Sequence, residues 1–436
     1  MMIFFIVNSG EMKMEYWKKA AILLGIGTWS DSLDFAALMT ALALLTIPWG
    51  LTPMELSLIA AIPTYVGLCA SIALGPLIDL LGRKRMWIIG NAIPGLAYLF
   101  GAFLCKNWVD LVIVRSVGVI GMGFTIATYF SWMPEIIPSD KRQTTMGIFG
   151  MLQVLAVMSL NAFLALTAIF PWINWQTMFL WAAIWDLAVV VLGIPILKES
   201  ELWLERRRLA RERKLTEAKV ETRLSYRALF AKEWRVPCVI GLLIGLTYSM
   251  FGLFAATSGV ITDWNLRVLK FEPWLIGVLG LISTPIVAAY RPIVGRVSDK
   301  IGRLRNLLLF NAIGLPCAIL GALTPILVGT GMYLHVIVYS FVMGQLAFLM
   351  SSGQEDTGKL VLSELVPTTA RGTAHSLLEF LKGIVISTLT IVTGAIYAMN
   401  PIIGMMFPAI VGSAVGLSAV FAAMRLGYET RGKPLA

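Results

Sequence analysis

The chain has 436 residues, 58% of them hydrophobic and 14% charged, with a formal net charge of +10. Soluble domains run near 45–50% apolar and about 25% charged, so this composition exceeds what one water-soluble core can enclose and requires the bilayer as solvent. A charge of +10 on a soluble chain would point to nucleic acid, but the basic residues here sit at the ends of apolar stretches, which excludes that reading and leaves lipid as the partner.

The first 18 residues hold the run MMIFFIVNSG, too short to span and without the basic region of a signal peptide. They are expected to form a cytoplasmic segment, with Met12 or Met14 as an alternative start. Six apolar spans follow at 19–46, 55–81, 86–105, 109–134, 144–168 and 175–196, forming a first bundle over 19–196. The stretch 197–234 is polar and reads as a cytoplasmic linker of short amphipathic helices. Six more spans lie at 235–262, 274–297, 304–327, 331–363, 372–397 and 403–425, forming a second bundle over 235–425 before a cytoplasmic tail, 426–436. In lipid each backbone must satisfy its own hydrogen bonds, so all twelve are predicted as helices.

Arg83, Lys84, Arg85, Lys141, Arg142, Arg296, Lys300, Arg303 and Arg305 lie at or just past the ends of even-numbered spans, and the gap from Lys198 to Arg235 adds twelve basic residues. The opposite loops hold only Lys106, Arg267 and Lys270, so both termini are expected in the cytoplasm. Cys69, Cys105, Cys238 and Cys317 are scattered in or beside spans, and His335 and His375 near span ends, with no metal-ligand spacing. No phosphate loop, nucleophile elbow or metalloprotease motif is present, so neither an enzyme nor a cofactor is expected.

Two motifs recur. Gly75-Pro-Leu-Ile-Asp79-Leu-Leu-Gly82-Arg83 and Gly295-Arg-Val-Ser-Asp299-Lys-Ile-Gly302-Arg303 lie 299 − 79 = 220 residues apart. Glu135-Ile-Ile-Pro138-Ser-Asp-Lys-Arg142 and Glu364-Leu-Val-Pro367-Thr-Thr-Ala-Arg371 lie 364 − 135 = 229 apart. One order at nearly one offset makes the chain two six-helix repeats. Gly82 and Gly302 permit a sharp turn. Asp79 and Asp299, at helix C-termini, need donors from an arginine or another helix N-terminus.

Charges at membrane depth mark function by default. In span 1, Asp34 with Asp31 one turn away is a candidate for proton exchange. Glu379 and Lys382 share one face of span 11, facing either each other or a substrate. Glu355, Asp356 and Lys359 flank Gly353 and Gly358 in span 10, a pattern that suggests a broken helix. Asp186 and Arg291 are single charges of unassigned facing, and Gln153, Asn161, Tyr248 and Gln345 are candidate hydrogen-bonding residues for substrate.

These motifs resemble the major facilitator superfamily, in particular its sugar porters and metabolite:proton symporters. Arg115-Ser-Val-Gly118-Val-Ile-Gly121 resembles their fourth helix. Glu199-Ser200-Glu-Leu-Trp203-Leu204 and Glu429-Thr430-Arg431-Gly432 resemble their signatures after helices 6 and 12. Asp31-Ser-Leu-Asp34-Phe35 is similar to the symporters' first helix, while span 7 lacks the amide element that holds sugars. The resemblance implies an all-α membrane protein of twelve helices in two pseudo-symmetric bundles. It implies a monomer in the cell membrane that carries a small polar metabolite, an organic carboxylate or a sugar, by proton symport with alternating access; the alternatives are an uncoupled facilitator or exporter, and a non-transporting sensor. Arg115 matches the partner of the coupling aspartate. Asp79, Arg83, Glu135 and Arg142, with Asp299, Arg303, Glu364 and Arg371, match an inner gate. Lys382 and Lys359 tilt the expectation toward a carboxylate, unless Glu379 already pairs with Lys382.

Overall fold

The structure is a computed structural model; it describes residues 16–137, 142–201, 204, 231–251, 258–366 and 371–430. Within these helices the side chains of Asp79, Glu135, Arg142, Tyr248, Arg291, Asp356, Arg371 and His375 lie outside the described residues, as do most of the expected linker and the ends of the chain.

All regular structure among the described residues is helical, and helices fall on each of the twelve expected spans. They are α1 (Tyr16–Leu45), α2 (Pro53–Leu81), α3 (Arg83–Leu104), α4 (Trp108–Ile136), α5 (Arg142–Leu166) and α6 (Trp175–Ile196). Span 7 comprises α7 (Arg235–Phe251) and α8 (Ser258–Asp263), which runs into a π-helical turn, Trp264–Val268. Then come α9 (Pro273–Ile301), α10 (Arg303–Ala322), the short α11 (Thr324–Leu327), α12 (Leu334–Leu365), α13 (Arg371–Met399) and α14 (Pro401–Arg425). Eight helices among the described residues are long and apolar enough to cross a membrane.

Helix starts follow local chemistry. Asn107 and Asp110 form a capping box at α4, and Asn400 caps α14 with Pro401 in the first turn. α3 and α10 begin without a side-chain cap from the preceding residue, directly after Gly82 (φ 100°, ψ 157°) and Gly302 (φ 101°, ψ 157°). The two glycines adopt one backbone state that a Cβ would strain, so the repeated motif is a repeated turn.

The chain divides into two compact units, Met1–Leu44 with Val66–Lys214, and Leu45–Tyr65 with Leu215–Ala436. In the first, Leu23 and Leu24 of α1, Trp87 of α3, Trp132 and Met133 of α4 and Val189 of α6 share a core. In the second, Ile244, Val294, Leu307, Phe310, Met350, Val361 and Val420 bring α7, α9, α10, α12 and α14 together. The segment Leu45–Tyr65 joins the second unit through close approach: a Cβ on Gly259 of α8 would meet the Leu56 carbonyl oxygen at 2.7 Å.

Span 10 departs from expectation: α12 runs unbroken from Leu334 to Leu365. Its glycines serve packing instead. A Cβ on Gly353 would meet the Phe310 ring at 2.6 Å, and one on Gly358 would meet Gly245 Cα of α7 at 3.3 Å. A glycine that admits a neighbour and a glycine that breaks a helix look alike in sequence.

Candidate functional site

In the first unit, α3 gathers the polar groups. Asn91, Gly95 and Tyr98 occupy one face at i, i+4 and i+7. Asn91 lies against Ser30, whose Oγ is 3.4 Å from Asn91 Oδ1. Gly95 leaves room for Asp186, since a Cβ there would come within 2.9 Å of Asp186 Cβ. The Tyr98 hydroxyl donates to the main-chain carbonyl of Asp34 at 2.9 Å. Thus α1 and α6 each deliver an aspartate to the same face of α3.

Asp34 and Asp186 are fully buried and Asp31 is 5% exposed. The carboxyls of Asp34 and Asp186 lie within hydrogen-bonding reach of each other, with Asp31 and Arg115 in electrostatic range. The Ser30 hydroxyl faces Asp186, and its shortest hydrogen bond is to the Gly27 carbonyl at 2.8 Å. No donor among the described residues completes a bond to a carboxylate oxygen of Asp31, Asp34 or Asp186.

Arg115, also buried, takes a different partner from the one its motif suggests. Its Nη1 donates to the Tyr98 hydroxyl at 2.7 Å and to the Asp34 carbonyl oxygen at 3.1 Å, and its guanidinium lies 5.6 Å from the Phe35 ring centroid. The arginine therefore holds the backbone that carries Asp34 rather than its carboxylate.

The second unit holds an ion-pair network of four described side chains. Lys359 Nζ lies 2.7 Å from Glu355 and 3.3 Å from Glu379; Lys382 Nζ lies 3.2 Å from Glu355 and 3.1 Å from Glu379. Two cations and two anions from α12 and α13 balance one another. The Glu379–Lys382 pairing foreseen as one of two options is present, and Glu355 and Lys359 join it.

The other expected substrate residues are dispersed. Gln153 is exposed on α5, and Asn161 is half-buried there. Gln345 Oε1 accepts from Ser283 Oγ at 2.5 Å. Tyr248 falls outside the described side chains.

The repeated motifs assemble around the two Gly-Arg turns. Glu199 Oε1 accepts from the backbone N–H groups of Arg83 at 2.8 Å and Lys84 at 3.2 Å, capping α3. Glu429 accepts from those of Arg303 at 3.0 Å and Leu304 at 3.1 Å, capping α10. Each occupies the positive end of a helix dipole. Arg303 pairs with Asp299 at 2.6 Å and Glu364 at 3.5 Å, and Glu364 accepts from the Thr430 hydroxyl. Asp299 therefore obtains an arginine donor, as its position requires, while the helix N-terminus goes to Glu429. The signal for these caps in the sequence is the spacing 429 − 199 = 230, one residue more than the offset of the second motif.

Helical architecture, matched Gly-Arg turns and buried charges place the chain among membrane carriers, and a family model decides which: the one described as Major Facilitator Superfamily matches residues 24–390. The chain belongs to the major facilitator superfamily. It is accordingly an integral membrane protein of a transporter superfamily, with the twelve-helix fold, and not an enzyme. Among superfamily relatives, the facilitated trehalose transporter of Bombyx mori is 24% identical over 421 residues, covering 85% of this chain and 76% of the relative. The probable 4-methylmuconolactone transporter of Cupriavidus pinatubonensis is 26% identical over 356 residues, covering 79% and 75%. The same fold is seen in the inward-open xylose transporter XylE from E. coli, with a TM-score of 0.69, 17% identity and coverage of 96% and 98%. It is seen again in a bacterial homolog of the lysosomal transporter Spinster, with a TM-score of 0.73, 15% identity and coverage of 97% and 100%.

Proposed function

We propose that this major facilitator is a proton-coupled symporter that brings a small polar metabolite across the cell membrane by alternating access, as a monomer with both termini in the cytoplasm. The observation that carries the reading is the buried group of Asp31, Asp34 and Asp186 around Arg115. Ionised carboxylates inside a membrane protein are costly, and a group that gains and loses a proton during the cycle accounts for their retention. Asp34 is the coupling carboxyl, with Asp31 beside it, and Arg115 fixes the backbone of Asp34.

Substrate is assigned to α12 and α13, where Glu379 and Lys382 join Glu355 and Lys359, with Gln345 of α12, Gln153 and Tyr248 as further contacts. The similarity to trehalose and 4-methylmuconolactone transporters supports a sugar or a related small metabolite. Because Glu355 and Glu379 both pair with Lys382, they offset the pull that Lys382 alone would exert on an organic carboxylate. The clusters at Arg83 and Arg303, with Asp79, Glu135, Arg142, Asp299, Glu364 and Arg371, close the inner side in this reading. The facilitated trehalose relative supports a second reading, an uncoupled facilitator.

Proteoliposome uptake separates the two. In the symport reading, an inward proton gradient drives accumulation, and Asp34→Asn abolishes that accumulation while retaining counterflow exchange, which needs no net proton movement. Uptake that equilibrates without accumulating, and is indifferent to the gradient in both proteins, establishes the facilitator.

A further inference from the structure

We infer that Asp34 and Asp186 form an acid pair that binds one proton between their carboxyl groups, with Asp186 of α6 as the second member of the proton site. The inference deepens the symport reading and rests on it for the proton's role in transport.

The geometry has three parts. First, the face of α3 sets the pair: Gly95 admits Asp186, and Tyr98, one turn on, holds the Asp34 backbone through its hydroxyl. Both residues thus pack against this one face of α3, and their fully buried carboxyls interact with each other. Two carboxylates have no hydrogen to share, so the contact is repulsive when both are ionised and bonding when one is protonated.

Second, the hydrogen bonds of the nearby donors run to other acceptors among the described residues. Arg115 spends its Nη1 on the Tyr98 hydroxyl and the Asp34 carbonyl, and Ser30 makes its shortest hydrogen bond to Gly27. Third, Asp31, 5% exposed and without a donor among the described residues, faces the same pair and adds a further negative charge. Among the described residues, the ionisable groups facing the pair are thus Asp31 from α1, Tyr98 from α3 and Arg115 from α4.

With the shared proton the three aspartates and Arg115 sum to −1; without it they sum to −2. Proton release breaks the O–H bond of one aspartic acid, passes the proton to water and leaves both carboxylates ionised. They then repel, and Arg115 is the cation within range to turn toward them. Neither aspartate alone defines the site, since the proton belongs to the pair.

Infrared difference spectroscopy on the full chain in lipid bilayers, between neutral and alkaline pH, tests this without any transport substrate. Wild type is expected to show the carbonyl stretch of a protonated carboxylic acid, and Asp34→Asn and Asp186→Asn are each expected to lose it. An asparagine amide donates to the remaining carboxylate in place of the proton. A band that survives either substitution, or that disappears only in Asp31→Asn, overturns the pair. If Asp186→Asn does not fold, as judged by chromatography and thermal melting, Asp34→Asn carries the test, because removing either member removes the shared proton. Loss of the band in both variants, with wild-type uptake indifferent to a proton gradient, upholds the pair and defeats symport. Gradient-driven uptake with the band intact in Asp186→Asn defeats the pair and leaves symport standing.

Discussion

At Gly95 there is no room for a methyl group. A Cβ would stand 2.9 Å from Asp186 Cβ and 3.0 Å from Leu187 Cδ2, both on α6. Gly95→Ala is therefore an overpacking substitution, costing about 1–3 kcal/mol when neighbours must shift. A lower melting temperature is expected, together with loss of gradient-driven accumulation, because the shift carries Asp186 away from Asp34. A melting temperature equal to wild type would show that α3 and α6 have slack there. The ion-pair network behaves differently. Removing Lys382 leaves Glu355 and Glu379 with one cation between them, so Lys382→Gln should destabilise more than the double change Lys382→Gln with Glu379→Gln, which restores the balance of charge. A thermal-melt cycle reads the difference, and purely additive losses would show that the pair is not coupled. The charged residues themselves were visible in sequence, since any charge in an apolar span stands out. Partners within one helix were legible too, as Glu379 and Lys382 are, but partners across helices were not: nothing within α6 says that Asp186 meets Asp34, because that contact depends on how three helices cross.

The elements were legible for a simple physical reason. A bilayer of about 30 Å imposes stretches of about 20 apolar residues, and each expected span carries a helix. What sequence could not separate was the meaning of glycine within a span, where Gly353 and Gly358 pack neighbours inside a continuous α12. The helix starts at α3 and α10 were half legible, because the turn glycines repeat but the capping carboxylates arrive from segments over 110 residues away. Those caps yield a paired prediction. A glutamate that accepts two backbone N–H groups at a helix N-terminus contributes about 1 kcal/mol. Glu199→Gln and Glu429→Gln should each lower stability by that order, each in its own unit. Because the cap also fixes the Gly-Arg turn, both should slow the transport cycle. A loss from one substitution but not the other would break the functional equivalence of the two repeats.

At the scale of the whole molecule, the described charge clusters of the two units differ in their balance. The first gathers three aspartates against Arg115, an excess of negative charge that suits a proton. The second sets Glu355 and Glu379 against Lys359 and Lys382, a sum of zero. An anionic substrate meeting that network gains no net attraction unless an ion pair opens, and opening one costs what the pair contributed. A neutral polar solute pays no such cost and can take hydrogen bonds from the network's outer atoms. A thermal-shift screen of sugars, lactones and carboxylates of matched size is therefore expected to favour the neutral compounds. A ligand at 100 times its Kd stabilises the folded state by about 2.7 kcal/mol through linkage alone, so a true substrate is readily seen. Lys382→Gln then distinguishes the mechanisms. If the network is self-balanced and merely frames the site, the substitution weakens neutral and anionic ligands alike. If carboxylates prevail in wild type and Lys382→Gln weakens them far more than it weakens sugars, the lysine leaves Glu355 and Glu379 to grasp the substrate. The four charges would then be an anion site, and the preference for neutral solutes would be refuted.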